Sequence, residues 1–197
     1  LLCVALLTSV LATMARPASA YAKLNAETDI GKTSSNAWDA TPSEQSVAIF
    51  DGRSGARLDF GALLDRLADA DAVFLGETHN DETTHRVELA VYEGLLNRRE
   101  GRVVLAMEMF ERDTQPTLDA YLRGEITEPE FAEKARAWSQ YRSAYRPLIE
   151  HAKEVGRPVV ASNIPRPLAR RISFEGLGIL DDLSDTERVQ APAEFFA

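Results

Sequence analysis

The sequence predicts an α/β domain: a mainly parallel sheet flanked by helices, with a small helical subdomain inserted into it. Three observations carry that reading. Three apolar runs, Ala72–Leu75, Arg102–Met107 and Arg157–Ala161, each stop abruptly at polar residues, and a run of this length that ends in glycine or polar groups reads as a buried strand feeding a loop. Around these runs lie stretches with apolar residues three and four apart, the stripe of a helix packed on one side. The segment between the last two runs is too long for a simple crossover helix. Composition agrees, since 45% hydrophobic and 27% charged residues are ordinary for a globular domain. A net charge of −9 argues against nucleic acid as a partner, and a lone cysteine, Cys3, excludes an intramolecular disulfide and any Cys-based zinc cluster.

The chain opens with LLCVALLTSVLATM, a 14-residue apolar run too short to span a bilayer, followed by ARPASA with a small-x-small ending. Residues 1–20 are therefore expected to be a signal peptide, entered part-way, cleaved after Ala20 and excluded from the fold. Cys3 stands at the start of the run rather than its end, so a soluble periplasmic protein is expected and not a lipoprotein. Residues 21–46 are polar and without period, which predicts a flexible arm.

The folded part is expected over residues 47–197. Val47–Phe50 reads as a first strand of the parallel sheet, and Asp51–Gly55 as a turn. In Leu58–Asp69, Phe60, Leu63, Leu64 and Leu67 form a helical stripe. The strand Ala72–Leu75 follows, then the loop Gly76-Glu77-Thr78-His79. A helix over Glu82–Asn97 buries Val87, Val91 and Leu95 and brings His85, Glu88 and Tyr92 to one face. Val103–Met107 is the next strand, with Glu108 directly after it. Helices at Thr114–Leu122, Glu128–Trp138 and from about Tyr145 to Val155 make up the insertion, about residues 113–155, with Pro116, Pro129 and Pro147 in first turns. Pro158–Ala161 is the last strand, followed by Ser162 and Asn163.

In an open parallel sheet, ligands bind beyond the carboxyl ends of the strands. Glu77, His79, Glu108 and Asn163 all follow strands, so parallel pairing gathers them along one edge, and His85 in the next helix points back toward them. A plainer reading has Asn80, Asp81 or Thr83 capping that helix and nothing more. Glu77, His79, His85 and Glu108 are candidate ligands for a divalent ion such as Zn, Mn or Fe. Glu77 and His79 are also candidate catalytic groups, through metal-activated water or with His79 as a metal-free general base. Trp138, Tyr141 and Tyr145 cluster in the insertion, and Arg166, Arg170 and Arg171 form a basic patch.

Taken in order, Gly76-Glu77-Thr78-His79-Asn80, His85, Ala106–Phe110, Trp138 with Tyr141, Tyr145 and Pro147, and Val160–Asn163 with Pro165-Arg166 resemble the ChaN family of haem-binding uptake proteins in the Tiki superfamily. The resemblance implies an exported α/β protein that binds haem through a tyrosine at a dimer interface, working with membrane haem-uptake machinery. It makes Tyr145, and after it Tyr141, the expected iron ligand, with Arg166 and Arg170 meeting the propionates. The family shows paired histidines and a glutamine where this chain has Thr84-His85 and Glu88. It also continues past Ala197 with a second GxxH element, so the sequence is expected to be a truncated copy. The Tiki relatives imply the alternative, a metal-dependent hydrolase built on the Gly76–His79 loop.

Overall fold

The computed structural model describes residues 47–191 and, as backbone alone, residues 2–6. Four strands form one parallel sheet in the order β4-β1-β5-β6: β1 (Leu2–Leu6), β4 (Ala72–Leu75), β5 (Val103–Glu111) and β6 (Val159–Asn163). The α/β class with a parallel sheet is thus as expected. Leu75 and Met107 both stand opposite Leu6, and Ala161 stands opposite Met107. The chain therefore leaves β4 at the level where β5 reaches Glu108 and β6 reaches Ser162. Glu77, Glu108 and Asn163 share one edge.

Four sequence expectations change. Val47–Phe50 does not join the parallel sheet: β2 (Ile49–Phe50) pairs antiparallel with β3 (Arg57–Leu58). The cause is local. The Asp51 carboxylate accepts the N–H groups of Arg53 and Ser54, and the Asp51 N–H donates to Ala56 O at 2.8 Å, which closes a hairpin before the strand can reach the sheet. Among the described strands β4 lies at the edge of the sheet, with Val73 buried but Phe74 57% exposed, rather than forming a buried strand throughout. Strand β5 runs on to Glu111, so Glu108 lies within it and not after it. Helix α4 (Glu128–Lys134) stops short of Trp138, where Ala135 caps it and Arg136 takes a φ of 52°.

Strand β1 falls inside the stretch read as a leader. An apolar pentapeptide satisfies a slot between two apolar strands as readily as it forms a leader core, so its composition serves either role. The other leader residues and the arm at 21–46 lie outside the described residues.

Helix α1 (Phe60–Ala68) starts at Asp59, whose side chain accepts the Ala62 N–H at 2.7 Å. It packs on α2 (Glu82–Arg98) so closely that a Cβ on Gly94 would collide with a Leu64 methyl. Between β5 and β6 run α3 (Gln115–Leu122), α4 (Glu128–Lys134), one π-helical turn (Tyr141–Tyr145) and α5 (Arg146–Glu154). These do not fold apart from the sheet. Leu118, Phe131, Tyr141, Tyr145, Leu148 and Ile149 share one buried cluster with Leu105 and Met107 of β5 and with Tyr92 and Leu95 of α2. Beyond β6, α6 (Arg166–Glu175) and a 3-10 turn (Leu177–Asp182) enclose a second, small cluster of Leu168, Ile179, Leu180, Leu183 and Ala191, and α7 (Asp185–Arg188) lies outside it.

Candidate functional site

The loop after β4 is shaped by its own cap. Asp81 accepts the N–H groups of Thr83 and Thr84 and the Thr84 hydroxyl, and its own N–H donates to Thr78 O at 2.9 Å. The plain capping reading is therefore correct for Asp81. The same turn fixes Glu77 and His79 against the first turns of α2, so capping and site assembly are one event.

Glu77 is the hub. Its side chain is fully buried, and its Oε1 accepts the Tyr145 hydroxyl at 2.9 Å while His79 Nδ1 approaches the same oxygen at 2.6 Å. The His79 contact is close enough for an ion pair but is not aligned as a hydrogen bond. His85 donates or accepts at both ring nitrogens: Nε2 lies 3.0 Å from the His79 carbonyl oxygen, while Nδ1 lies 3.0 Å from Glu88 Oε2 and 3.5 Å from Glu77 Oε2. The His85 ring stands edge-on to Tyr145, with centroids 5.1 Å apart, and His79 stands edge-on to Trp138 at 5.4 Å. Gln140 Nε2 donates to Asn80 Oδ1 at 3.3 Å, pinning the insertion to the loop. Tyr145 reaches Glu77 from the last position of the π turn, closed by the Arg146 N–H on Tyr141 O. Single π turns recur at functional sites because the extra residue redirects side chains.

Burial governs the charges here. Desolvation pushes Glu88 up to about 7, with the negative Glu77 adding to the effect and His85 opposing it. Burial alone would lower His85, but its bonds to the His79 carbonyl and to Glu88, together with both nearby carboxylates, outweigh that and raise it. Tyr145 is raised strongly, by burial first and then by its bond to Glu77, so it is a neutral donor at pH 7.

The structure brings together Glu77, His79, His85 and Tyr145 from the expected set, and it adds Glu88. The Glu108 carboxylate lies near enough to raise the Tyr145 pKa, and its side chain is half-buried. The three residues whose ligand atoms all fall within 4.8 Å of one another are Glu77, His85 and Glu88. Glu88 was legible as the i+3 neighbour of His85, and its role needed only the fact that the shared face points inward. Tyr141 goes elsewhere: its ring packs between Phe110 and Phe131, and its buried hydroxyl has no hydrogen-bond partner. The arginines are also engaged locally. The Arg166 backbone N–H donates to Glu111 Oε2 while its guanidinium stays largely exposed, 3.8 Å from Glu111 Oε1; Arg170 lies over the Phe174 ring, and Arg171 pairs with Glu187 at 2.7 Å. Two clefts of about 260 and 250 Å³ flank the cluster, one reaching Glu88 beside Gly76 and Asp81, the other reaching His85 beside Arg86 and Arg142.

Fold and site together define an α/β protein whose parallel sheet carries a buried carboxylate–imidazole–phenol cluster at its carboxyl edge, roofed by a helical insertion. The chain belongs to the haem-binding uptake family of the Tiki superfamily, ChaN, whose profile matches residues 63–197. It is similar to a solved structure described as cofacial haem binding to ChaN of Campylobacter jejuni, with 16% sequence identity and a TM-score of 0.49. That match covers 70% of this chain and 53% of the other, so this chain spans about half the length of that relative. No curated protein matches the chain.

Whether the described residues fit haem can be judged from the two phenols. Tyr145 is 0% exposed with its hydroxyl held by Glu77, and Tyr141 is 3% exposed inside an aromatic cluster. An iron ion would have to displace the Glu77 bond at Tyr145 or enter the closed aromatic cluster at Tyr141. Both clefts fall below the roughly 300–1,000 Å³ of pockets that take drug-sized ligands. In this arrangement neither tyrosine fits the axial role.

Proposed function

We propose that the protein binds ferric haem and serves haem and iron uptake after export to the periplasm. The observation that supports this reading is the family match over residues 63–197. Among the described residues no helix is long and apolar enough to cross a membrane. Since Tyr145 and Tyr141 are committed elsewhere, neither would be the iron ligand in this arrangement, and a second copy of the chain would be the partner for so large and flat a ligand. Export rests on the apolar run and the ARPASA sequence. Cleavage after Ala20 would remove β1 and leave the slot between β4 and β5 to another strand.

Hemin titration of the full mature protein tests the reading. The expected result is a saturable Soret shift, retained in both Tyr145→Phe and Tyr141→Phe. Absence of any saturable shift contradicts haem binding. Loss of the signal in Tyr145→Phe alone returns that residue to the axial role. The mass of the exported protein, with Tyr21 expected at its start, tests the cleavage.

A further inference from the structure

We propose that Glu77, His85 and Glu88 hold one divalent first-row metal ion, at a centre separate from any haem. His85 has one tautomer in its neutral form. Its Nε2 lies 3.0 Å from the His79 carbonyl oxygen, which can only accept, so the ring proton resides on Nε2. In the neutral ring Nδ1 is the lone pair, and it faces Glu88 Oε2 at 3.0 Å, bridged by a proton in the metal-free protein, and Glu77 Oε2 at 3.5 Å. Three electron-rich atoms thus converge inside the protein, where Coulomb repulsion is only weakly screened. A divalent cation can replace the bridging proton and reach Glu77 Oε2 as well, since the three ligand atoms all lie within 4.8 Å of one another.

The spacing matches a metal ion. Two donor atoms about 2.1 Å from one ion stand about 3.0 Å apart at a right angle and about 3.4 Å apart at the tetrahedral angle. The observed 3.0 and 3.5 Å are edges of that kind. The surroundings also match. Glu77 Oε2 and Glu88 Oε1 are buried without a hydrogen-bond partner, on side chains 0% and 2% exposed. Glu77 Oε1 is occupied by Tyr145 and faced by His79, which turns Oε2 inward. A ligating histidine whose second nitrogen donates to a backbone carbonyl, and a ligating carboxylate held by an outer hydroxyl, are the usual supports of a metal site. One imidazole and two carboxylates suit Zn, Mn or Fe(II). The clefts at Glu88 and His85 leave room for water to complete the coordination.

This set differs from the one expected from sequence. Glu88 takes the place given there to His79 and Glu108, and His79 supports Glu77 from outside. The inference stands apart from haem binding, because a metal titration and a hemin titration can succeed or fail independently.

The test is calorimetric titration of the metal-free full chain with Mn(II) and with Zn(II), with bound metal counted after gel filtration. One ion per chain is expected. Glu88→Gln and His85→Gln should each weaken binding at least tenfold, while Tyr141→Phe binds as the parent does. The metal-free melting temperature of Glu88→Gln should equal or exceed that of the parent, which separates a lost ligand from a lost fold. Added metal should raise the melting temperature of the parent and not of Glu88→Gln. Absence of one-to-one binding, or affinity unchanged in both ligand variants, overturns the proposal and leaves the cluster to protons alone.

Discussion

Tyr141 and Tyr145 begin and end the same π turn and are 3% and 0% exposed, yet they belong to different parts of the protein. Tyr141 joins an aromatic wedge with Phe110 and Phe131, where Tyr121 stacks on Phe131 at 4.5 Å and their rings supply contact area. Tyr145 enters the polar cluster, where its hydroxyl holds Glu77. Burial and residue type are the same in both. What separates them is the fate of the hydroxyl: unpartnered in the wedge and directed in the cluster. A buried tyrosine marks a site only where its polar end organises other polar groups.

The wedge should give the largest effect on stability. Phe131 is fully buried among three aromatic rings, so Phe131→Ala should cost about 3–5 kcal/mol in urea denaturation. Because the insertion and the sheet share one core, unfolding should stay a single transition. Two transitions would separate the regions more sharply than the structure does.

The cluster should dominate the pH dependence of the metal-free protein. Folded Glu88 holds its proton up to about 7, against an ordinary 4.5, so the folded state binds the proton more tightly. Stability is then intact below about pH 4.5 and falls as the pH rises toward 7, by on the order of 2–3 kcal/mol. His85, also raised, acts in the same direction, since stability from its protonated form is lost as the pH rises through its folded value. Glu88→Gln should flatten most of that slope in melting curves at pH 5 and pH 8. A slope unchanged in Glu88→Gln would place the titration elsewhere.

The two hydroxyls sharpen the comparison directly. Tyr145→Phe removes a bond to a buried carboxylate and should cost about 1.5–2 kcal/mol. Tyr141→Phe removes a buried group with no partner, so it should be neutral or stabilising by up to about 1 kcal/mol. Equal losses in the two variants would erase the distinction.

Much of the fold was legible because strand runs and helical stripes are local patterns. Ala72–Leu75, Val103–Met107 and Pro158–Ala161 read directly, and their polar ends gave the shared edge. Val47–Phe50 misled because its apolar character says nothing about Asp51, whose carboxylate turns the chain back at once. Phe74 misled because an apolar run reads the same at the edge of a sheet as at its centre. For the site, Gly76–His79 and His85 were visible as polar residues after a strand. Glu88 shared their helix face, but only tertiary packing shows that this face is buried against Glu77. The two tyrosines could not be told apart, since the π turn that divides them has no periodic signature.

Diffraction from crystals of the full chain grown with Mn(II) and hemin, measured at wavelengths that separate manganese from iron, tests the account most directly. A manganese peak is expected about 2.0–2.3 Å from Glu77 Oε2, His85 Nδ1 and a Glu88 carboxylate oxygen, with the haem iron elsewhere and the Tyr145 hydroxyl still on Glu77. An iron peak on the Tyr145 oxygen, with no manganese in the cluster, would contradict it.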